Sequence, residues 1–308
     1  MGERMPLVEC VPNFSEGRRP AVVAAIRDAI AAVPGARVLD VHVDAWHNRS
    51  VVTFVATPDA AADAAFAGAE RAVALIDLTR HAGVHPRLGA ADVTPFVPLP
   101  AHDTTTADCV ALARTLGARV GAELRVPVYL YERAATRPDR VNLADVRRGG
   151  FEALRASGGA DPAHLPDFGP PAPHPTAGAA AVGARGFLVA YNVYLGPAAN
   201  LPVAREVARA VRASSGGLSH VKALALAVDG QAQVSMNLTD VDRTPLVAAF
   251  ERVEAEAAAR GAAPTWSELV GLVPERALDE AGARRVLLRD WGPHRVLERR
   301  IRETAGAG

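Results

Sequence analysis

"VKALALAVDGQAQVSMNL", residues 221–238, carries the strongest short hairpin signal in the chain: two runs suited to extended backbone, parted by Asp229-Gly230. An Asp-Gly pair between such runs tolerates the positive φ values that a two-residue hairpin turn demands. Working outward, "RGFLVAYNVYL" (185–195) reads as a strand and "LPVAREVARAVRA" (201–213) as a helix with Val203, Val207 and Val211 aligned. Beyond the hairpin, Thr244 is expected to cap a helix that has Pro245 at its first position. Leu246, Phe250, Val253 and Ala257 lie on one face of that helix. "SELVGLVP" (267–274) supplies a last strand, and the order is β-α-β-β-α-β.

The first half repeats that order. A strand over Leu7 to Pro12 leads to a helix, "RRPAVVAAIRDAIAAV" (18–33), with Pro20 in its first turn and Val22, Ile26, Ile30 and Val33 on one side. "RVLDVHV" (37–43) and "SVVTFVAT" (50–57) are strands joined by "DAWHNR", and a helix from Ala61 to Ile76 presents Phe66, Ala69, Val73 and Ile76. A strand, "VTPFVPL" (93–99), a helix from Thr106 to Leu124 and a further strand, "VPVYLYE" (126–132), follow. Residues 157–178, rich in proline and glycine without apolar periodicity, read as a subdomain connection. The expectation is an α/β (α+β) protein of two ferredoxin-like βαββαβ subdomains, residues 1–177 and 178–308, with mixed sheets.

Composition narrows the function. A chain of 308 residues, 49% hydrophobic with formal net charge zero, is no polybasic nucleic-acid binder, and 5% aromatic content is too little for base-stacking platforms. No apolar run approaches a membrane span, "MGERMPLVEC" has no signal-peptide pattern, and Cys10 and Cys109 are too few for a disulfide framework. These features lead to the expectation of a cytoplasmic protein. Lys222 is the only lysine; the other basic positions are arginine.

Chemistry concentrates in "HAGVHPRLGAAD" (81–92). Pro86 biases His85 toward extended backbone, so His85 and Arg87 are expected to project together, a proton acceptor beside a carboxylate-binding fork. Hydrogen bonding to nearby carbonyls is an equally good account of both. His81 and His85 have helical metal spacing, but glycine and proline oppose a helix there, and no metal is expected. The loop 44–49 gathers Asp44, His47, Asn48 and Arg49 more densely than a turn requires. Asn13, Ser15 and Glu16 lie near a helix N-terminus, where capping competes with anion binding. "HPTAGAAAVGARG" (174–186), which contains Gly178, is either a flexible connection or a backbone-lined binding wall; its glycines do not form a dinucleotide fingerprint.

Taken in order, "LVECVPNFSEGR", "LDVHVDAWHNRSVVTFV", "HPRLGAADVTPFVP", "VPVYLYE", "PDFGP", "GARGFLVAYNVYL", "VKALALAVDGQAQVSMNL" and "LVGLVP" resemble the formiminotransferase family over nearly the whole chain. The resemblance implies transfer of a formimino group from N-formiminoglutamate to N5 of tetrahydrofolate, a co-substrate, with no metal required. It also implies a ligand groove between two subdomains, a homodimer, and a separate cyclodeaminase. His85 falls on the family's proposed catalytic base. Asn13, Asp44, His47, Asn48, Arg49, Arg87, Asp92, Gly178 and Lys222 fall on substrate- or folate-binding positions, with Asp44 or Asp92 facing the cationic amidine. Position 186 is glycine where the family often has a basic residue. The alternatives are another donor (formylglutamate or formiminoglycine), a metal-dependent amidohydrolase using His47, His81, His85 and Asp92, and a non-catalytic folate-binding protein.

Overall fold

The computed structural model describes residues 5–159 and 165–305, and the chain divides into two units, Met1–Arg185 and Gly186–Gly308. The first unit opens with a strand broken in two, β1 (Val8–Cys10) and β2 (Asn13–Phe14), where a single strand is predicted. Then come α1 (Pro20–Ala31), β3 (Ala36–Asp44), β4 (Arg49–Ala56), α2 (Pro58–Leu75), β5 (Ala91–Pro98), α3 (Thr106–Glu123) and β6 (Val128–Glu132). Two short helices, α4 (Leu143–Val146) and α5 (Gly150–Ser157), precede β7 (Ala180–Ala184).

Across the sheet, β3 pairs with β4, β4 with β1 and β2, and these with β5, all antiparallel. That is the ferredoxin-like arrangement expected from the element order. The sheet does not stop at four strands. β7 pairs in parallel with β5, and β6 in parallel with β7, giving seven strands among the described residues. β7 is the element that pattern reading misses. Its residues, AAVGA, are all buried and show no alternation, as in a parallel strand covered on both faces. Gly183 is required there, because a Cβ would stand 2.6 Å from the ring of Tyr131.

The position of β7 corrects two expectations. The boundary lies between Arg185 and Gly186, later than residue 177, because β7 belongs to the first sheet. The described part of the 157–178 run is not a connection between subdomains; it packs within the first unit. Asp167 accepts the Leu130 N–H at 2.8 Å and an Arg140 guanidinium, and the Phe168 carbonyl accepts the Val128 N–H at 2.9 Å.

Helices α1, α2 and α3 cover one face of the sheet. Ile26, Ile30, Phe66, Leu116 and Val120 meet Val52, Phe54 and Phe96 in one continuous core. Each fully buried large apolar side chain there contributes about 1.5–3 kcal/mol. The alanines of α2 (Ala61, Ala64, Ala65, Ala69 and Ala72) are buried and let this helix lie close to its neighbours. α3 begins with a capping box: Thr105 Oγ1 accepts the Asp108 N–H, and the Asp108 carboxylate accepts the Thr105 N–H.

The second unit follows its predicted order: β8 (Val189–Pro197), α6 (Leu201–Val211), β9 (Val221–Val228), β10 (Gln231–Leu238), α7 (Leu246–Ala258) and β11 (Trp266–Val270). The four strands run β11-β8-β10-β9, all antiparallel. At the hairpin tip Asp229 and Gly230 have φ of 46° and 68°, the turn that the dipeptide announced. Thr244 does not cap α7. Its hydroxyl donates to the Ser219 carbonyl at 2.6 Å, and the helix begins at Leu246 with Pro245 just outside it. α8 (Glu280–Arg285) and α9 (Leu297–Ala305) complete the described elements. No described helix is long and apolar enough to cross a membrane.

Gly89 shows how tightly the loop before β5 is fitted. A Cβ there would lie 1.8 Å from the Ala179 carbonyl oxygen, and Gly89 bridges Gly178, whose own Cβ would meet the Leu88 carbonyl at 2.3 Å. Gly89→Ala should therefore lower stability by about 1–3 kcal/mol or more, the cost of forcing backbone apart. Gly186→Ala, which meets nothing within 4 Å, should leave the thermal midpoint unchanged. Equal melting temperatures for the two variants would contradict this packing.

Candidate active site

Three loops of the first unit converge because their strands are neighbours: the β2–α1 loop, the β3–β4 loop and the loop leading into β5. Asn48 ties them together from a left-handed backbone position (φ 49°). Its Oδ1 accepts the Gly17 N–H at 2.9 Å, its Nδ2 donates to the Ala82 carbonyl at 3.0 Å, and its own carbonyl is 3.0 Å from His81 Nε2. Ser15 adds a bond to the Gly89 carbonyl at 2.7 Å. Glu16 is occupied as a helix-start anchor, accepting the N–H groups of Arg18 and Arg19 at 2.8 and 2.9 Å. Burial pushes its carboxyl up, but those bonds and the Arg19 side chain outweigh burial and leave it below its usual range.

Asp92, on β5, is the electrostatic centre of the site. Its side chain is 0% exposed. One oxygen accepts the backbone N–H groups of Leu88 and Gly89 at 2.6 and 3.2 Å; the other meets Arg49 at 2.6 Å and Arg147 at 2.7 Å. Burial raises its pKa, but Arg147, Arg49 and the backbone donors prevail and hold it at about 2. Arg49 also reaches Asn13 Oδ1 through Nε and Nη2, at 3.2 and 2.9 Å. Asp92 thus has both oxygens engaged by protein donors, and these bonds hold the loops together.

Asp44 is the more accessible carboxylate. Its Oδ1 accepts the N–H groups of Trp46 and His47 at 2.8 Å each, and its Oδ2 lies 2.6 Å from His47 Nδ1. Burial raises this carboxyl, but the bonds from His47 overcome burial and leave it below the usual range. The contact orients the His47 ring, whose centroid is 5.8 Å from that of His85.

His85 is half-buried, and its Nδ1 lies 2.7 Å from the Pro86 carbonyl, a contact that places a proton on Nδ1 and leaves Nε2 as the basic atom. Desolvation, then the charges of Arg49 and Arg147, push its pKa well below 6.5 despite the opposing pull of Asp92. It is an imidazole kept neutral inside a cationic surrounding. Arg87, expected beside it, is instead engaged with Glu152 of α5 at 2.7 Å and with the His81 carbonyl at 3.3 Å; its Nε is buried with no hydrogen-bond partner.

The first unit therefore gathers Asn13, Asp44, His47, Asn48, Arg49, His85, Arg87 and Asp92, with Gly178 supporting the loop from behind. Lys222 belongs to the other unit, exposed on β9, the edge strand of its sheet. Among the described residues no group of three or more histidine, cysteine or acidic side chains is arranged to hold a metal, the set His47, His81, His85 and Asp92 included. Arg147, at the C-terminal end of α4, was missed by sequence reading. It lies in no motif and is one arginine among many, so no sequence signal singles it out.

The Asp92 ion group makes stability depend on acid. Its carboxyl titrates near 3.8 when unfolded and about 2 when folded, so its contribution is complete above the first value and disappears as pH falls toward the second. That contribution is on the order of 2 kcal/mol. Asp92→Asn should flatten this acid limb and, by leaving two guanidinium groups facing a neutral amide, destabilise at neutral pH by about 3–5 kcal/mol. Chemical denaturation across acidic pH measures both effects.

Comparison with known proteins places the whole chain in one family. Residues 7–185 match the model for the formiminotransferase domain, N-terminal subdomain, and residues 190–287 match that for the formiminotransferase domain. A glutamate formimidoyltransferase of Thermoplasma acidophilum is 49% identical, over 98% of this chain and 99% of that protein. Another, from Streptococcus pyogenes serotype M1, is 40% identical over 96% and 98%. A formimidoyltransferase-cyclodeaminase of Gallus gallus is 44% identical over 89% of this chain but only 51% of its own length. Both domain models match in order and two relatives are similar from end to end: the chain belongs to the formiminotransferase family.

Proposed function

We propose that the protein is a glutamate formimidoyltransferase, moving the formimino group of N-formimino-L-glutamate to N5 of tetrahydrofolate and releasing glutamate and 5-formiminotetrahydrofolate. The observation that carries this reading is His85, a neutral imidazole with Nε2 free of protein partners among the described residues, beside the paired guanidinium groups of Arg49 and Arg147. In the reaction the N5 amine attacks the amidine carbon, a carbon–nitrogen bond forms, and a tetrahedral intermediate results. His85 Nε2 takes the proton from N5 and delivers it to the glutamate nitrogen as the old carbon–nitrogen bond breaks. Nothing is oxidised or reduced.

The two guanidinium groups share one carboxylate, so the local charge favours an anionic ligand; the donor brings two carboxylates and folate a glutamyl tail. Asp44, partly exposed, suits the protonated amidine, and His47 is held by it next to His85. The same reading takes Asn13, Asn48, Arg87 and Gly178 as residues that shape the binding loops. It also takes the enzyme to act in the cytoplasm as a homodimer, its product passing to a separate cyclodeaminase.

A donor screen with and without tetrahydrofolate, followed by absorbance of the formimino-folate product, tests the activity. Formylglutamate or formiminoglycine as the preferred donor, hydrolysis without folate, or binding without turnover would each replace it with a different function. His85→Ala should reduce kcat by about two orders of magnitude or more, with folate affinity little changed. If that variant keeps turnover while His47→Ala loses it, His47 is the base. Because His85 titrates below 6.5, kcat/KM should stay flat through neutrality and fall only in more acidic solution, as Nε2 becomes protonated. Lys222, the single lysine, is assigned to a carboxylate or carbonyl of the bound ligand. A planar fork does not replace a compact ammonium, so Lys222→Arg should impair turnover almost as much as Lys222→Ala.

A further inference from the structure

Two groups share the Pro86 carbonyl. His85 Nδ1 lies 2.7 Å from it, and Arg147 Nη2 donates to it from a residue 61 positions away. The same Nη2 donates to Asp92 Oδ2 at 2.7 Å, while Asp92 Oδ1 holds the N–H groups of Leu88 and Gly89. The peptide that follows Pro86 is thus gripped from both sides, by Arg147 at its oxygen and by Asp92 two residues on.

We infer that Arg147 is a positioning residue for the catalytic base: it pins the Pro86 carbonyl, and that carbonyl keeps the His85 proton on Nδ1 and leaves Nε2 to do the chemistry. The inference rests on the reading of His85 as the base. Its physical ground is that an imidazole's tautomer is set by the partner of its other nitrogen. A carbonyl from the very next residue is a poor anchor by itself, because one peptide rotation removes it. A guanidinium fixed by a buried carboxylate stops that rotation. Arg49 does not duplicate this role, since its guanidinium donates to Asp92 and Asn13. Arg147 has a second effect through space: its charge helps keep His85 unprotonated.

The test combines kinetics with 15N NMR of protein labelled at histidine. In the unmodified protein His85 should show a protonated Nδ1 and an unprotonated Nε2. Arg147→Met should mix the two tautomers and lower kcat by about 10²-fold, a larger change than in either KM. Its acid limb in kcat/KM should move to higher pH, because a repelling charge has gone. Arg147→Lys, which keeps the charge but not the reach, should restore the position of the acid limb more than it restores kcat. Adding Arg147→Met to His85→Ala should lower kcat no further, because the arginine acts on the chemical step through the histidine.

A proton on Nε2 in the unmodified protein overturns the inference without any variant, so a misfolded Arg147→Met does not protect it. Unchanged kcat, tautomer and acid limb in Arg147→Met also overturn it. A raised KM with unchanged kcat does so as well, and makes Arg147 a ligand for a substrate carboxylate. If His85→Ala keeps full turnover, the base assignment itself has failed, a result distinct from each of these.

Discussion

The carboxylate of Asp92, sealed from water between Arg49 and Arg147, is the contact on which the site depends. Ionising a group at such depth is costly unless donors surround it, and here two guanidinium groups and two backbone N–H groups do so. Because Arg49 also binds Asn13, and Arg147 also binds the Pro86 carbonyl, the single carboxylate joins four segments distant in sequence. β2, the start of β4, the loop before β5 and the turn after α4 are locked by one set of bonds. A site whose reacting groups come from separate loops requires such a lock, since small misplacements cost rate steeply.

The electrostatics follow from the same arrangement. One buried anion against two half-buried cations leaves surplus positive charge, and a histidine placed beside it loses its proton readily. Under the proposed function, that combination attracts an anionic substrate while keeping the base in its useful form. The cost is a weaker base than a free imidazole. The Asp44–His47 pair balances the surplus on its side of the site, where a cationic group is better accommodated.

Much of the architecture was legible because it rests on local rules. Amphipathic spacing marked α1, α2, α6 and α7, and Asp229-Gly230 marked the hairpin through its φ requirement. β7 was not legible. Alanine and glycine in the centre of a parallel sheet show no period, and its neighbours β5 and β6 are far away in sequence. With no signal for β7, the proline-rich run ahead of it reads as a bridge between subdomains, whereas Asp167 and Phe168 tie it to β6. Thr244 misled for a simpler reason: its hydroxyl has a better partner in the Ser219 carbonyl than in the helix it precedes.

The sequence by itself determined the βαββαβ order within each half, the family, and the residue types at the site, because amphipathic spacing is local and motifs such as His-Pro-Arg and Asp-x-x-His-Asn-Arg are contiguous and chemically specific. Only the tertiary structure decided which partner each of those residues meets. Asp92 is held between Arg49 and Arg147, Arg87 is drawn to Glu152, and Arg147, in no motif, shares a carbonyl with His85. The physical reason is that a charged side chain takes its role from the partner it meets in three dimensions. Partners 43 and 55 residues from Asp92 are set by the stacking of strands and loops and by no local pattern.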